Sequence, residues 1–469
     1  MLISLKHISK TLPKEDTFDY RSLNQDLFLS SNKTVVVIDD DPTGNQTVYD
    51  VPLLAKWDLN TLINEFENET SLFFLLTNSR SLTQEQSSEL YRTISKNILR
   101  ASEMTGRDFV IISRCDSTLR GHFSEIEVIE EAMPNSNSIK VFIPIMFEGR
   151  RVTVDDTHYI SEDEQLIPVN ETAFSKDHTF AYANANLKLY IEEKTLGKTR
   201  SSDVISLDIE SIRTSDTQIL SDKINTIETG KFCFINALNY FDLDKAINAL
   251  KLAEKSGKRI LFRTSSSFIP SYIGLKPQPL LAPKLIIDVE DKKGGLIIIG
   301  SYVPKSSIQL AHLFKDGRKK EMIEVDGDII TSKQTNAYLS SIIKQIDKNI
   351  SSGKDVVIYT SRKLIQDKDT ASNIEIASLI SQSLVTLMKG ISVRPRYVLA
   401  KGGITSHDLA IKGLGMQRST VLGQILQGIP VWKMGPETKF PGLTYIVFPG
   451  NVGKEESLTE IIQKLSSNG

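Results

Sequence analysis

Short apolar runs that stop abruptly at a polar cluster recur along this chain, and no other feature limits its fold as tightly. "TVVVIDDDPTG", "SLFFLLTNSR", "DFVIISRCDSTLRG", "IKVFIPIMFEGRR", "KFCFINALN" and "KRILFRTSSS" each carry a β-rich apolar stretch without alternation. A strand that is apolar on both faces must be covered on both, as happens inside a parallel sheet. Between these runs lie stretches with helical spacing of their apolar positions, such as "SSELYRTISKNILRASEM" and "LDKAINALKLAEKSG". Strand–helix alternation of this kind specifies an α/β fold.

A second series follows: "GGLIIIGSYV", "DVVIYTSR", "RYVLAKGGITS" and "LTYIVFPGNVG", with the helical stretch "ASNIEIASLISQSLVTLMKGI" among them. The chain has 469 residues, more than one ordinary core accommodates. "PSYIGLKPQPLLAPK" places Pro277, Pro279 and Pro283 in a stretch that cannot be helical and reads as the connection between domains. Two α/β domains are therefore expected, each with a largely parallel sheet flanked by helices. Their bounds are 33–275 and 291–469, with an N-terminal extension over 1–32 and a linker over 276–290. Polar residues follow the strand ends in both series, where open α/β sheets bind ligands, so the active site is expected in the interdomain cleft.

Bulk properties exclude several classes. With 40% apolar and 24% charged residues the composition is that of a soluble globular protein, and a formal net charge of −2 argues against general nucleic-acid binding. Two distant cysteines, Cys115 and Cys233, exclude a disulfide framework or a Cys-rich zinc module and fit a reducing compartment. The N-terminus lacks a secretory pattern and no apolar run reaches the ~18 residues of a membrane span. A cytoplasmic protein with neither membrane nor nucleic-acid partner is expected, and a homodimer stays open.

Asp39, Asp40 and Asp41 are adjacent and mutually repulsive. Taken alone, Asp39, Asp41 and Thr43 fit the D-x-D-x-T nucleophile motif of haloacid-dehalogenase-type phosphatases, although the acidic pair at 153–156 has arbitrary spacing for that chemistry. A solvated strand end is the other simple reading, but one aspartate would suffice as a cap. "SRCDSTLRGHF" sets Arg114, Asp116, Ser117, Arg120 and His122 in one loop, and Arg80 follows a neighbouring strand. Arginine forks suit carboxylate or phosphate, and Asp and Ser suit hydroxyls, so these loops together point to an anionic, hydroxyl-bearing small molecule. Cys115 reads as a small buried residue, without the supporting pattern of a nucleophile.

In the second half, "GSYVPKSS" imitates a P-loop through Gly300, Lys305 and Ser306 but lacks its second glycine. "KGGITSHD" and "FPGNVG" are further glycine turns after strands. Three such turns in one domain favour a phosphate or nucleotide site.

The motifs "DDDPTGNQTV", "LTNSRSL", "SRCDSTLRGH", "PVNETAFSKD", "FRTSSSF", "GSYVPKSS", "AKGGITS", "GLGM" and "FPGLTYIVFPGNVG", in this order from about residue 33 to the C-terminus, resemble the four-carbon acid-sugar kinase family. The resemblance implies an N-terminal sugar-acid domain, a C-terminal ATP domain, and Mg-ATP-dependent phosphorylation of a threonate, erythronate or 3-oxo-tetronate-type acid. It places ATP contacts on Ser301, Ser361, Gly402, Gly403, Ile404, Thr405 and Gly450. Ile404 stands where the family commonly has Glu. Asp39 or Asp40 is then expected to take the hydroxyl proton, and Asp116 to hold a neighbouring hydroxyl. Arg80, Arg114 and Arg120, with Ser117 and His122 nearby, are expected on the substrate. A phosphatase using Asp39 and a non-catalytic sugar-acid sensor are the alternatives.

Overall fold

The computed structural model describes residues 3–133, 137–332, 334–361 and 370–466. The chain divides into two compact units, Met1–Val48 with Lys56–Pro277, and Tyr49–Ala55 with Gln278–Gly469. In chain order the strands of the first part are β1 (Ile3–Ser4), β2 (Thr34–Asp39), β3 (Val51–Leu54), β4 (Leu72–Leu76), β5 (Phe109–Arg114) and β6 (Ile139–Ile143). They continue with β7 (Arg151–Val154), β8 (Thr157–Glu162), β9 (Gln165–Pro168), β10 (Ile205–Leu207), β11 (Phe232–Ile235) and β12 (Ile260–Thr264). Strand β3 belongs to the second unit; the others belong to the first.

The first unit's main sheet runs β10-β11-β6-β12-β5-β2-β4 and is parallel throughout. Its central strands are apolar on both faces: every residue of β2, β4 and β6 is buried, as the unalternating runs require. Helices Gln84–Thr105 and Tyr240–Lys255 occupy the two amphipathic stretches. The first is fixed by a Thr83–Gln86 capping box. A small antiparallel sheet, β1-β9-β8-β7, forms a separate layer. Residues near the N-terminus are built into the unit: Arg21 pairs with Asp244 at 2.9 Å, and the buried Asn24 amide donates to the Asp244 carbonyl at 2.9 Å.

One expectation needs correction. The stretch beginning at Pro270 is not wholly non-helical, because Phe268–Ile273 forms a short helix. Pro270 is its third residue, where no intrahelical partner awaits its missing N–H. Gly274, at φ +68°, ends the helix in the left-handed region.

The second unit adds β13 (Leu296–Ile299), β14 (Lys320–Val325), β15 (Asp355–Thr360), β16 (Val398–Lys401), β17 (Arg418–Leu426), β18 (Ile429–Met434) and β19 (Thr444–Phe448). Strands β19-β16-β13-β15-β14 are parallel. Beyond β19 the hairpin β17–β18 runs antiparallel, and β3 pairs antiparallel with β17. Ile297, Ile299, Val357, Leu399, Ile446 and Phe448 are the centre of its core. Among the described residues no helix is long and apolar enough to cross a membrane.

Ile112 is fully buried on β5, in register with Val37 and Phe262. Ile112→Ala is expected to cost about 2–5 kcal/mol, measured as a lower urea midpoint with unchanged slope.

Candidate functional site

The register of the first sheet sets the site. Asp39, last residue of β2, lies beside Arg114, last residue of β5, and Arg114 lies beside Thr264 of β12. Strand order reverses about β2, with β4 on one side and β5 on the other. Loops at such carboxyl ends are where open α/β sheets place their ligands.

Two arginines divide the three aspartates between them. The Arg114 Nη1 donates to Asp39 Oδ1 at 3.0 Å and to Asp40 Oδ1 at 2.8 Å. Arg80 pairs with Asp41 through Nη2, approaches Asp40 Oδ2 at 3.4 Å through Nε, and reaches Asp116 Oδ1 at 3.6 Å. Arg120 closes the chain of charges, with Nε on Asp116 Oδ2 at 2.8 Å and Nη1 on Asp177 Oδ2 at 3.5 Å. The network is graded by depth: the Asp39, Asp40 and Arg114 side chains are 0%, 1% and 3% exposed, whereas Asp41, Arg80 and Asp116 are 18%, 16% and 13% exposed.

Among the described residues, Asp39, Asp40, Asp41 and Asp116 form ion pairs with Arg80, Arg114 and Arg120, the last shared with Asp177, so carboxylates outnumber the arginines that pair with them. The deficit falls on the buried pair. Burial pushes Asp39 up to about 7 and Asp40 up to about 6, against the pull of Arg114 and, for Asp40, of Arg80. Burial also raises Asp41, but Arg80, Arg114 and the Thr43 hydroxyl and amide hold it below the usual carboxylate range. Asp116 is held lower still by Arg120, Arg80 and the Thr118 hydroxyl, again against burial. Two carboxylates ready to accept a proton therefore adjoin two that stay ionised.

Gly44 covers the Asp39–Arg114 pair. A Cβ there would come within 2.2 Å of Asp39 Oδ1 and 2.4 Å of Arg114 Cζ. The glycine of "DPTG" is thus required by close approach, and it encloses Asp39. Gly121, at φ +115°, brings the "LRG" backbone over Asp40, where a Cβ would lie 3.2 Å from Oδ2.

The other residues picked from sequence are more loosely connected. Ser117 Oγ contacts Met146 Sδ at 3.4 Å, and His158 Nε2 lies 2.9 Å from the Ser117 carbonyl. His122 is buried, with Nε2 3.0 Å from the Leu82 carbonyl and its ring edge-on to Phe180. Cys115 is buried and its thiol is pushed up to about 12 by that burial, so it is no nucleophile. The acidic pair at 155–156 forms the β7–β8 turn, where Asp156 binds Lys188, Ser206 and Asn236.

Sequence reading missed a second buried charge system. Arg263 on β12 pairs with Glu125 at 3.2 Å, and Glu125 also accepts from Ser79 at 2.7 Å and Ser87 at 2.9 Å. The signal was a charged residue inside the apolar run "ILFRTSSS", since an arginine within a strand covered on both faces needs a buried anion.

In the second unit, Ser301, Ser361, Gly402 and Gly450 follow β13, β15, β16 and β19, adjacent parallel strands of one sheet. Gly402 has φ +117° and donates to the Phe448 carbonyl at 2.8 Å. The loops are packed to glycine dimensions: a Cβ on Gly300 would come 2.3 Å from Thr405 Oγ1, and one on Gly450 would come 2.9 Å from Ser301 Oγ. Ser306 Oγ ties them together, lying 3.0 Å from Ser301 Oγ and 3.2 Å from the Gly450 carbonyl. Gly403, Ile404 and Thr405 open the helix Gly403–Asp408, and Ile404 is 60% exposed. Ser361 lines a cavity of about 330 Å³ with Glu324, Asp326, Asp328 and Tyr338. Lys401, unremarked in the sequence, is buried at the end of β16 over the Phe448 ring at 3.6 Å.

Among the described residues no three His, Cys, Asp or Glu side chains are grouped to hold a metal. The four aspartates are committed to arginines, so a protein-held Mg²⁺ does not fit this cluster.

Residues 35–272 match the model of a sugar-binding N-terminal domain, and residues 296–458 that of a nucleotide-binding C-terminal domain. The chain belongs to the four-carbon acid-sugar kinase (DUF1537) family. A Haemophilus influenzae DUF1537 protein of solved structure is similar over 92% of this chain and 100% of its own, at 16% identity and TM-score 0.62. A Salmonella typhimurium protein described as a putative tRNA synthase is similar over 92% and 98%, at 12% identity and TM-score 0.67. Both likenesses concern the fold of this four-carbon acid-sugar kinase family member. No curated protein matches the chain significantly.

The raised carboxyls of this family member give a signature in stability. A carboxyl that binds its proton more tightly folded than unfolded stabilises fully below its unfolded value of about 4. That contribution is lost as pH rises through about 6 and 7, the Asp40 and Asp39 values. Asp41 and Asp116 act with the opposite sign, at lower pH. Between pH 4 and 8, Asp40→Asn is therefore expected to flatten the fall of the urea midpoint relative to wild type.

Proposed function

We propose that this protein is an ATP-dependent kinase that phosphorylates a hydroxyl of a small sugar acid such as a threonate, an erythronate or a 3-oxo-tetronate. The observation that carries the reading is Asp40, a buried carboxylate near neutrality, held by arginines at the strand ends of the sugar-binding domain. A general base works best with a pKa near the operating pH. Its Oδ2 makes no hydrogen bond, with Arg80 Nε 3.4 Å away and the Gly121 backbone beside it, and the acceptor hydroxyl would donate to this oxygen.

In the proposed reaction the acceptor oxygen bonds to the γ-phosphorus, the bond from that phosphorus to the ADP oxygen breaks, and the hydroxyl proton passes to Asp40. Asp39 fixes the Arg114 fork from beneath. Arg80 and Asp116, at the accessible rim, would orient neighbouring hydroxyls. In the nucleotide-binding domain, Gly403, Ile404 and Thr405 at the helix start, with Gly402 and Gly450 shaping the turns, would bring backbone N–H groups to the phosphates. Ser301 and Ser361 would fix the rest of the nucleotide. These strand-end turns suit ATP; Mg²⁺ is proposed only as the ion that accompanies it, and no step here depends on it.

The phosphatase alternative requires Asp39 to attack phosphorus. Its carboxylate is enclosed by Gly44 and held by Arg114, and the acidic pair that such chemistry needs belongs to the β7–β8 turn. A phosphorylated aspartate has no room there.

Asp40→Asn is expected to lower kcat by about 100-fold or more in an ADP-coupled assay with four-carbon sugar acids, while ATP affinity stays unchanged. In the wild type, log(kcat/KM) is expected to fall with unit slope below about pH 6, where Asp40 takes up its proton. Near-wild-type turnover of the Asn variant would remove Asp40 as the base.

A further inference from the structure

The arginines at the aspartate cluster are already neutralised: Arg80 by Asp41, Asp40 and Asp116, Arg114 by Asp39 and Asp40, and Arg120 by Asp116 and Asp177. None has a charge to spare for an incoming anion. Arg151, the first residue of β7, differs. Its side chain forms no ion pair or hydrogen bond among the described residues, and its Nε is enclosed without a partner.

Its position is fixed from several sides. The Arg151 backbone pairs with Met146 in both directions, at 2.8 and 3.1 Å. Met146 Sδ in turn touches Ser117 Oγ at 3.4 Å and Gln46 Nε2 at 3.5 Å. His158, buried on β8, ties the same hairpin to the 116–118 loop through the Ser117 carbonyl at 2.9 Å and to Thr153 at 2.9 Å. The guanidinium rests against the Gly149 backbone, where a Cβ would come 1.8 Å from Nη1. Asp116, Arg120 and Glu162 are the charged groups near enough to act on Arg151, and His158 faces it as a neutral imidazole, its pKa lowered to about 4 chiefly by burial. Gln46, from the loop that carries the aspartates, likewise has a buried acceptor, Oε1, without a partner.

We propose that Arg151 binds the carboxylate of the acceptor and that Gln46 accepts a hydrogen bond from one of its hydroxyls. This deepens the kinase reading and rests on it for the identity of the acceptor. Arg151 is half-buried with an enclosed, unpartnered Nε, and a carboxylate reaching the accessible part of its guanidinium supplies a charge-assisted contact that nothing in the described residues provides. The requirement for an acid rather than a neutral polyol thus resides in Arg151 instead of in the aspartate-bound arginines.

The test measures binding by calorimetry and turnover by ADP release for wild type, Arg151→Met and Arg151→Lys. The probes are threonate and erythronate beside threitol and erythritol, the matching polyols without a carboxylate. The wild type is expected to bind an acid at least about 10-fold more tightly than its polyol. Arg151→Met should abolish that preference, raising KM with a smaller change in kcat, and Arg151→Lys should recover part of it. Acid affinity and KM unchanged in Arg151→Met, or equal affinity of the wild type for acid and polyol, would overturn the assignment. If the Met variant does not fold, a Lys variant with wild-type KM would overturn it too. Arg151-dependent acid binding without ADP formation would support the assignment while rejecting the kinase reading, so the two failures are distinct.

Discussion

Arg114 lies between two carboxylates that have almost no contact with solvent, and the architecture of this strand-end cluster depends on how that charge is balanced. A buried aspartate is tolerated only when paired or protonated. Adjacent parallel strands β2 and β5 supply the pairing by register, placing the last residue of one beside the last of the other. Breaking such a pair by removing one partner typically costs about 3–5 kcal/mol. Its presence at a strand end, where loops alone would fold more cheaply, is therefore informative. Burial, reinforced by neighbouring carboxylates, raises Asp39 and Asp40 towards neutrality, while arginines and hydroxyls keep Asp41 and Asp116 ionised.

The two sheets use their carboxyl edges differently. The first packs side-chain charge there and uses glycines to bring backbone over it, at Gly44 and Gly121. The second packs side chains against bare backbone, with Gly300, Gly402 and Gly450 making room for the Thr405 and Ser301 side chains. A polyhydroxy acid needs directional side-chain partners and a proton acceptor, whereas phosphate oxygens are served by N–H groups. That division of labour suits a sugar-binding domain followed by a nucleotide-binding domain.

Much of the fold was legible because unalternating apolar runs have few alternatives to a two-sided parallel sheet. All six runs of the first half became parallel strands. Residues 49–55 were not legible as part of the second unit, since β3 pairs with β17 across more than three hundred residues of sequence. The start of the stretch over 270–284 was misread because the prolines at 277, 279 and 283 were taken to exclude helix from all of it, although the helix Phe268–Ile273 ends before them. In the site, the aspartates and the arginines of the loops stood out as clusters. Arg263 carried a signal that went unread, a charge inside an apolar run, whereas Glu125 and Arg151 gain significance only from what surrounds them in space. Partnerlessness is a property of packing, and no sequence pattern reports it.

The central claim is that the aspartate cluster serves the acceptor of a phosphoryl transfer from ATP. The most direct measurement incubates the wild-type protein with ATP and a panel of four-carbon sugar acids, and follows ADP together with the phosphorus NMR spectrum of the products. Acid-dependent ADP formation matched by an equal amount of a sugar-acid phosphate ester is expected. Release of inorganic phosphate from a phosphorylated sugar acid without ATP, or acid and nucleotide binding with no ester formed, would contradict it.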